Sequence, residues 1–132
     1  MQPATRDALV ARLARYDRLV EVGVGNRPDV ASALAERSTV TATDVHDRPV
    51  PSGVRFVRDD VTSPDPSVYR DADAIYALNL PPELHRPVGE LARRYGADFL
   101  FTTLGGDPAS IPADAETLPG ETLFRARDTP LP

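Results

Sequence analysis

A carboxylate and two glycines stand together in Leu19-Val20-Glu21-Val22-Gly23-Val24-Gly25-Asn26, and a second carboxylate, Asp44, follows 21 residues after Gly23. The chemistry open to such a set is ligand holding. Glycines without Cβ atoms let a ligand lie against the backbone, and a helix that follows turns N–H groups towards it. Asp44 ends the β-branched run Val40-Thr41-Ala42-Thr43 and could take a ribose diol with its two oxygens. A solvated loop acid is the alternative in a chain this rich in aspartate. The charge of Asp44 disfavours a 2′-phosphate, and with it NADP. For Gly23 and Gly25 the plain alternative is a tight strand-to-helix turn without ligand. The third glycine of a dinucleotide fingerprint is missing, with Pro28 in its place.

Asp59 and Asp60 close the run Val54 to Arg58. One of them could accept a hydrogen bond from an adenine amino group; equally, the pair could cap the turn at Thr62-Ser63. Asn79, in Asn79-Leu80-Pro81-Pro82, could orient an amine or carbonyl substrate, or could cap a Pro-initiated helix. His46 has no second histidine at ligand spacing, and His85 falls on the solvent side of a helix. Neither a Ser-His-Asp order nor a pair of glutamates stands out, so a general base is not visible.

The elements that must position these residues alternate. An amphipathic helix over 5–16, with Thr5 as its N-cap, places Leu9, Val10, Leu13 and Tyr16 on one face. Arg18 to Val22 reads as a buried parallel strand. A helix from Pro28 to about Arg37 turns Val30, Ala33 and Leu34 inward, and strands follow over 39–43, 54–58, 74–78 and 99–103. Residues 62–72 are too rich in proline for more than a short helical turn. Pro81-Pro82 opens a helix with Leu84, Val88, Leu91, Ala92 and Tyr95 inward, ended by Gly96. Residues 104–113 leave no room for a crossover helix, and 116–118 with 122–127 read as a hairpin around Pro119-Gly120. The expected fold is α/β and Rossmann-like: one domain, a mostly parallel sheet with flanking helices and a C-terminal antiparallel β-hairpin. A loose tail is expected from Asp128 to Pro132.

Composition narrows the partners. With 132 residues and a net charge of −5, the chain is not drawn to nucleic acid by bulk electrostatics. Its 15 basic residues are all arginine, and 14 of its 20 acids are aspartate. That balance fits adaptation to high salt, or codon bias in a GC-rich genome. Cysteine is absent, so neither disulfides nor thiolate metal sites arise. No apolar run approaches a membrane span and the N-terminus is unlike a signal peptide, so a cytoplasmic protein is expected.

Taken in order, Glu21-Val22-Gly23-Val24-Gly25, Asp44, Asp60 in Arg58-Asp59-Asp60-Val61-Thr62-Ser63-Pro64, and Asn79-Leu80-Pro81-Pro82 resemble the motifs of class I S-adenosylmethionine-dependent methyltransferases over roughly residues 18–127. With Ile75-Tyr76, Glu83-Leu84-His85 and the short hairpin added, the chain looks like a small uncharacterised archaeal family with a truncated methyltransferase-like fold. The resemblance implies S-adenosylmethionine as cofactor, with Glu21 and Gly23 beside the methionine end and Gly25 and Asn26 among the cofactor-binding residues. It also implies Asp44 on the ribose, Asp60 at the adenine amine and Asn79 as the substrate-orienting residue. It implies no particular reaction. Arg27 stands where a third glycine is common, Leu80 separates Asn79 from the prolines, and Glu83 replaces an aromatic. A non-enzymatic module for ligand sensing or protein association, as a homodimer or with a partner, is the alternative. An NAD-binding protein is the weaker one.

Overall fold

The computed structural model describes residues 1–127; the tail expected to be loose, 128–132, lies outside the described residues. Helix α1 spans Pro3–Leu13 and begins earlier than the periodicity predicts, because Pro3 supplies a helical φ in the first turn, where its missing N–H costs nothing. Thr5 is therefore not its N-cap. The Thr5 hydroxyl donates to the Pro119 carbonyl and ties α1 to the far end of the chain. Leu9 and Leu13 of α1 are fully buried, each contributing about 1.5–3 kcal/mol of burial.

Five strands run parallel: β1 (Arg18–Val22), β2 (Thr39–Asp44), β3 (Val54–Arg58), β4 (Ala74–Ala77) and β5 (Asp98–Phe101). The hairpin of β6 (Ala113–Leu118) and β7 (Glu121–Ala126) joins antiparallel through β7, giving a seven-stranded sheet in the order β3-β2-β1-β4-β5-β7-β6. Strand β6 is longer than the sequence pattern predicts, and β7 has the predicted length but starts one residue earlier. Helix α2 (Asp29–Leu34) is shorter than predicted, with Pro28 at its N-cap position. Helix α3 (Pro66–Tyr69) is the expected short turn, and α4 (Pro82–Arg94) carries Pro87 within it.

Alternate side chains of each strand feed opposite layers. Leu19, Val40, Tyr76 and Leu100 pack with Leu9, Leu13 and Leu34 under α1 and α2. Val20, Val22, Ile75 and Phe101 pack with Tyr69, Val88 and Leu91 under α3 and α4. Across the sheet, Arg12 of α1 forms two hydrogen bonds to Glu116 of β6, at 2.7 and 3.1 Å. The chain moves outward from β1 to β2 and β3, then returns to the other side of β1 as β4. Connections that diverge on either side of β1 open a crevice beyond the strands' carboxyl ends, where open α/β sheets take their ligands.

Candidate functional site

The loop after β1 lies in that crevice. Gly23 and Gly25 have φ of +73° and +62°, the left-handed region that favours glycine, and nothing stands within 4 Å of where a Cβ would be. The N–H groups of Gly23 and Val24 both donate to the Thr43 carbonyl at 3.0 Å. The Gly25 N–H donates to Asp44 Oδ2 at 2.9 Å. With these three donors engaged inside the fold, the loop offers bare backbone surface rather than a cradle for phosphate.

Glu21 is 2% exposed. Register places it opposite Tyr76, whose hydroxyl donates to Glu21 Oε1 at 2.6 Å. No basic side chain pairs with it among the described residues. Burial pushes its carboxyl up to about 7, against the Tyr76 hydrogen bond that lowers it.

Asp44 closes the other side of the loop. Burial alone would raise its pKa. The His46 N–H on Oδ1 (3.0 Å), the Gly25 N–H on Oδ2 and the nearby Arg48 outweigh that and hold it below the usual carboxylate range. Arg48, a residue the sequence did not bring forward, has its Nε 3.5 Å from Asp44 Oδ2 and donates from Nη1 to Asn26 Oδ1 at 2.8 Å. That Nε is buried without a hydrogen-bond partner. Arg48 thus bridges the loops after β1 and β2, and Asn26 faces it.

Asp60 makes the capping contacts: its Oδ1 accepts from both the Thr62 N–H and hydroxyl, which lower its pKa. Asp59 accepts from the Asp65 N–H and the Tyr69 hydroxyl.

Asn79 is not an N-cap; Pro81 holds that position of α4. Asn79 is the one non-glycine residue at positive φ (+54°) among the described residues. Three hydrogen bonds fix this strained corner. Asn79 N–H donates to Thr102 Oγ1 (2.8 Å), Leu80 N–H to the Thr102 carbonyl (2.9 Å), and the Leu80 carbonyl meets His85 Nε2 (2.9 Å). His85 is fully buried, not on the solvent side of α4. Its ring lies 4.5 Å from that of Phe101, and its Nδ1 accepts from the Ser110 N–H at 3.1 Å. The tautomer with hydrogen on Nε2 satisfies both ring nitrogens. The Asn79 side chain is exposed and makes no hydrogen bond among the described residues. Such over-determined strain collects at functional sites.

Two adjoining depressions, of about 800 and 210 Å³, share Gly23, Leu78 and Asn79. The larger is lined by Glu21, Asn26 and Arg27, and is rimmed by α1 and the β6–β7 turn through Thr5 and Gly120. The smaller has Asp44 and Asp60 at its edge and apolar walls from Val45, Val61, Leu80 and Leu84. Val45, 50% exposed, leaves an apolar surface open there. The structure thus brings Glu21, Gly23, Asn26, Asp44, Asp60 and Asn79 to one edge of the sheet, while Gly25 lines neither depression and instead secures Asp44. Among the described residues, no helix is long and apolar enough to cross a membrane.

The profile of an uncharacterised protein family, UPF0146, matches residues 4–128. A UPF0146 protein of Halobacterium salinarum is 54% identical over 129 residues, covering 96% of this chain and 98% of that protein. Among solved structures, an RNA methyltransferase from Salinibacter ruber in complex with S-adenosyl-L-homocysteine aligns with a TM-score of 0.66 at 18% identity. It covers 96% of this chain and 91% of its own. Human N-acetylserotonin methyltransferase in complex with S-adenosylmethionine aligns at 0.64 and 11% identity, over 95% of this chain and 52% of its own. At these identities the likeness shows the fold: a methyltransferase-like Rossmann fold with a mostly parallel sheet.

Proposed function

This chain belongs to UPF0146, an uncharacterised protein family, and from that premise we propose that its carboxyl-edge crevice binds S-adenosylmethionine and supports methyl transfer to a small acceptor. One observation carries the reading: a bare left-handed Gly23 lies between a buried acid, Glu21, and an acid at the end of β2, Asp44, with open space where a Cβ would be. The residues fit an adenosine-bearing ligand. The apolar slot of Val45, Val61, Leu80 and Leu84 takes a flat base, with Asp60 at its edge. Oδ1 of Asp44 receives one hydrogen bond among the described residues, from the His46 N–H, leaving an acceptor site for a ribose hydroxyl. Glu21 receives the ammonium of the methionine end.

The cofactor, when bound, supplies an electrophilic methyl group on sulfur. The chain supplies placement. Asn79 stands where the two depressions meet, and its fixed backbone aims a free amide at an acceptor in the larger one. The rim of Thr5 and Gly120 narrows the approach to that space. The engaged N–H groups of Gly23, Val24 and Gly25 favour this ligand over a pyrophosphate-bearing one such as NAD.

Calorimetric titration with S-adenosylhomocysteine, with NADH in a parallel titration, tests the reading. Stoichiometric binding of the first supports it. Absence of heat and of any thermal shift at millimolar concentration removes it. A second reading, a binding module without turnover, draws on Arg48, which already sits against Asp44. A stable dimer in solution that ignores both ligands would favour that reading.

A further inference from the structure

The larger depression pairs opposite charges in a way that the fold does not require. Glu21 lies at its floor, buried and without a basic partner among the described residues. Arg27 is the one basic side chain lining the same depression. It is exposed and makes no hydrogen bond or ion pair among the described residues. The Met1 amino terminus and the carboxylates of Asp29 and Glu121 line the same depression. Arg27 follows a loop in which the Gly23, Val24 and Gly25 N–H groups are all engaged inside the fold. An anionic group reaching that wall would find Arg27 as its one charged side-chain donor. One buried acid and one free guanidinium on a single cleft match the two charges of an α-amino acid.

We propose that Arg27 reads the carboxylate of the ligand's amino-acid end, so that with Glu21 it selects an adenosine ligand bearing a complete α-amino acid. The inference rests on the S-adenosylmethionine reading and adds to it a specificity-determining residue. A guanidinium meets a carboxylate through paired N–H donors, a geometry that a neutral or purely cationic ligand end does not use. Arg27 stands one residue before Pro28 at the N-cap position of α2, so the helix start anchors the backbone from which its side chain extends.

The test uses two ligands that differ in the carboxylate alone: S-adenosylmethionine and decarboxylated S-adenosylmethionine. Both are titrated calorimetrically into the wild-type chain, Arg27→Gln and Arg27→Lys, with folding of each variant checked by circular dichroism. Arg27→Gln is expected to weaken S-adenosylmethionine roughly tenfold while leaving the decarboxylated ligand unchanged, with Arg27→Lys in between. Equal losses for both ligands would mean that Arg27 only shapes the loop, and no loss for either would mean that it faces solvent; each overturns the proposal. If the wild-type chain binds neither ligand, the cofactor reading falls and takes this inference with it. Binding that ignores Arg27→Gln removes the inference alone.

Discussion

Replacing Glu21 by glutamine should make the chain more stable at alkaline pH, although it removes an acid from the centre of the site. The carboxyl is 2% exposed and meets the Tyr76 hydroxyl, with no cation in ion-pair reach among the described residues. Burial lifts its pKa from an ordinary 4.5 to about 7. Between those values the folded chain holds a proton that the unfolded chain releases. Stability is therefore fully present below about pH 4.5 and declines as pH rises towards 7. At about 1.4 kcal/mol per pH unit the loss amounts to about 3 kcal/mol. Glutamine keeps an acceptor for Tyr76 and carries no charge, so Glu21→Gln should match the wild type near pH 5 and exceed it by about 3 kcal/mol at pH 8, roughly 10 °C in Tm. Urea unfolding at pH 5, 6, 7 and 8 and fixed ionic strength measures the difference. A gap independent of pH, or a variant less stable at pH 8, would refute the reasoning. The same carboxyl must ionise to receive an ammonium. S-adenosylhomocysteine should accordingly bind up to about tenfold more tightly per pH unit until about 7, then level off.

Asp44→Asn should weaken S-adenosylhomocysteine by about 1.5–3 kcal/mol in calorimetry, because a charge-assisted bond to a ribose hydroxyl is lost; unchanged affinity would leave Asp44 as a brace for Gly25 and His46. Gly23→Ala should cost about 1–2 kcal/mol in urea unfolding from its +73° φ alone, since the new Cβ meets no atom within 4 Å, and should abolish ligand binding by filling that space. Asn79→Ala should cost about 1 kcal/mol, whereas Asn79→Gly should cost none, since glycine accepts the same φ freely; equal losses would deny the backbone strain. His85→Phe should lose about 2–4 kcal/mol, because it orphans the Leu80 carbonyl and the Ser110 N–H in the interior, as read by denaturant midpoint.

The sheet was legible because the strand at 18–22 is apolar after Arg18 except for Glu21, and because Gly96 and the Pro119-Gly120 turn punctuate the chain where backbone hydrogen bonding changes partner. The ordered spacing of Glu21, Gly23 and Asp44 also carried to one edge of the sheet, since parallel strands deliver all their carboxyl ends there. What sequence could not give was register. Tyr76 lies across from Glu21 because β1 and β4 pair in that frame, and nothing in either segment alone announces it. His85 misled because a polar residue reads as solvent-facing, yet 85, 88 and 92 form one stripe at helical spacing, and that stripe is the buried one. Arg48 was missed because its partners, Asp44 and Asn26, come from two separate loops. The Thr5 cap failed for a local reason: Pro3 starts α1 earlier, leaving the hydroxyl free to reach Pro119.

Amide chemical-shift mapping with saturating S-adenosylhomocysteine asks most directly whether an adenosine ligand lies against Gly23. The largest perturbations are predicted at Gly23, Asn26, Val45 and Asn79, with residues at the opposite end of the sheet, such as Thr39 and Asp98, unmoved. Shifts scattered over the surface, or none at millimolar ligand, would contradict the account.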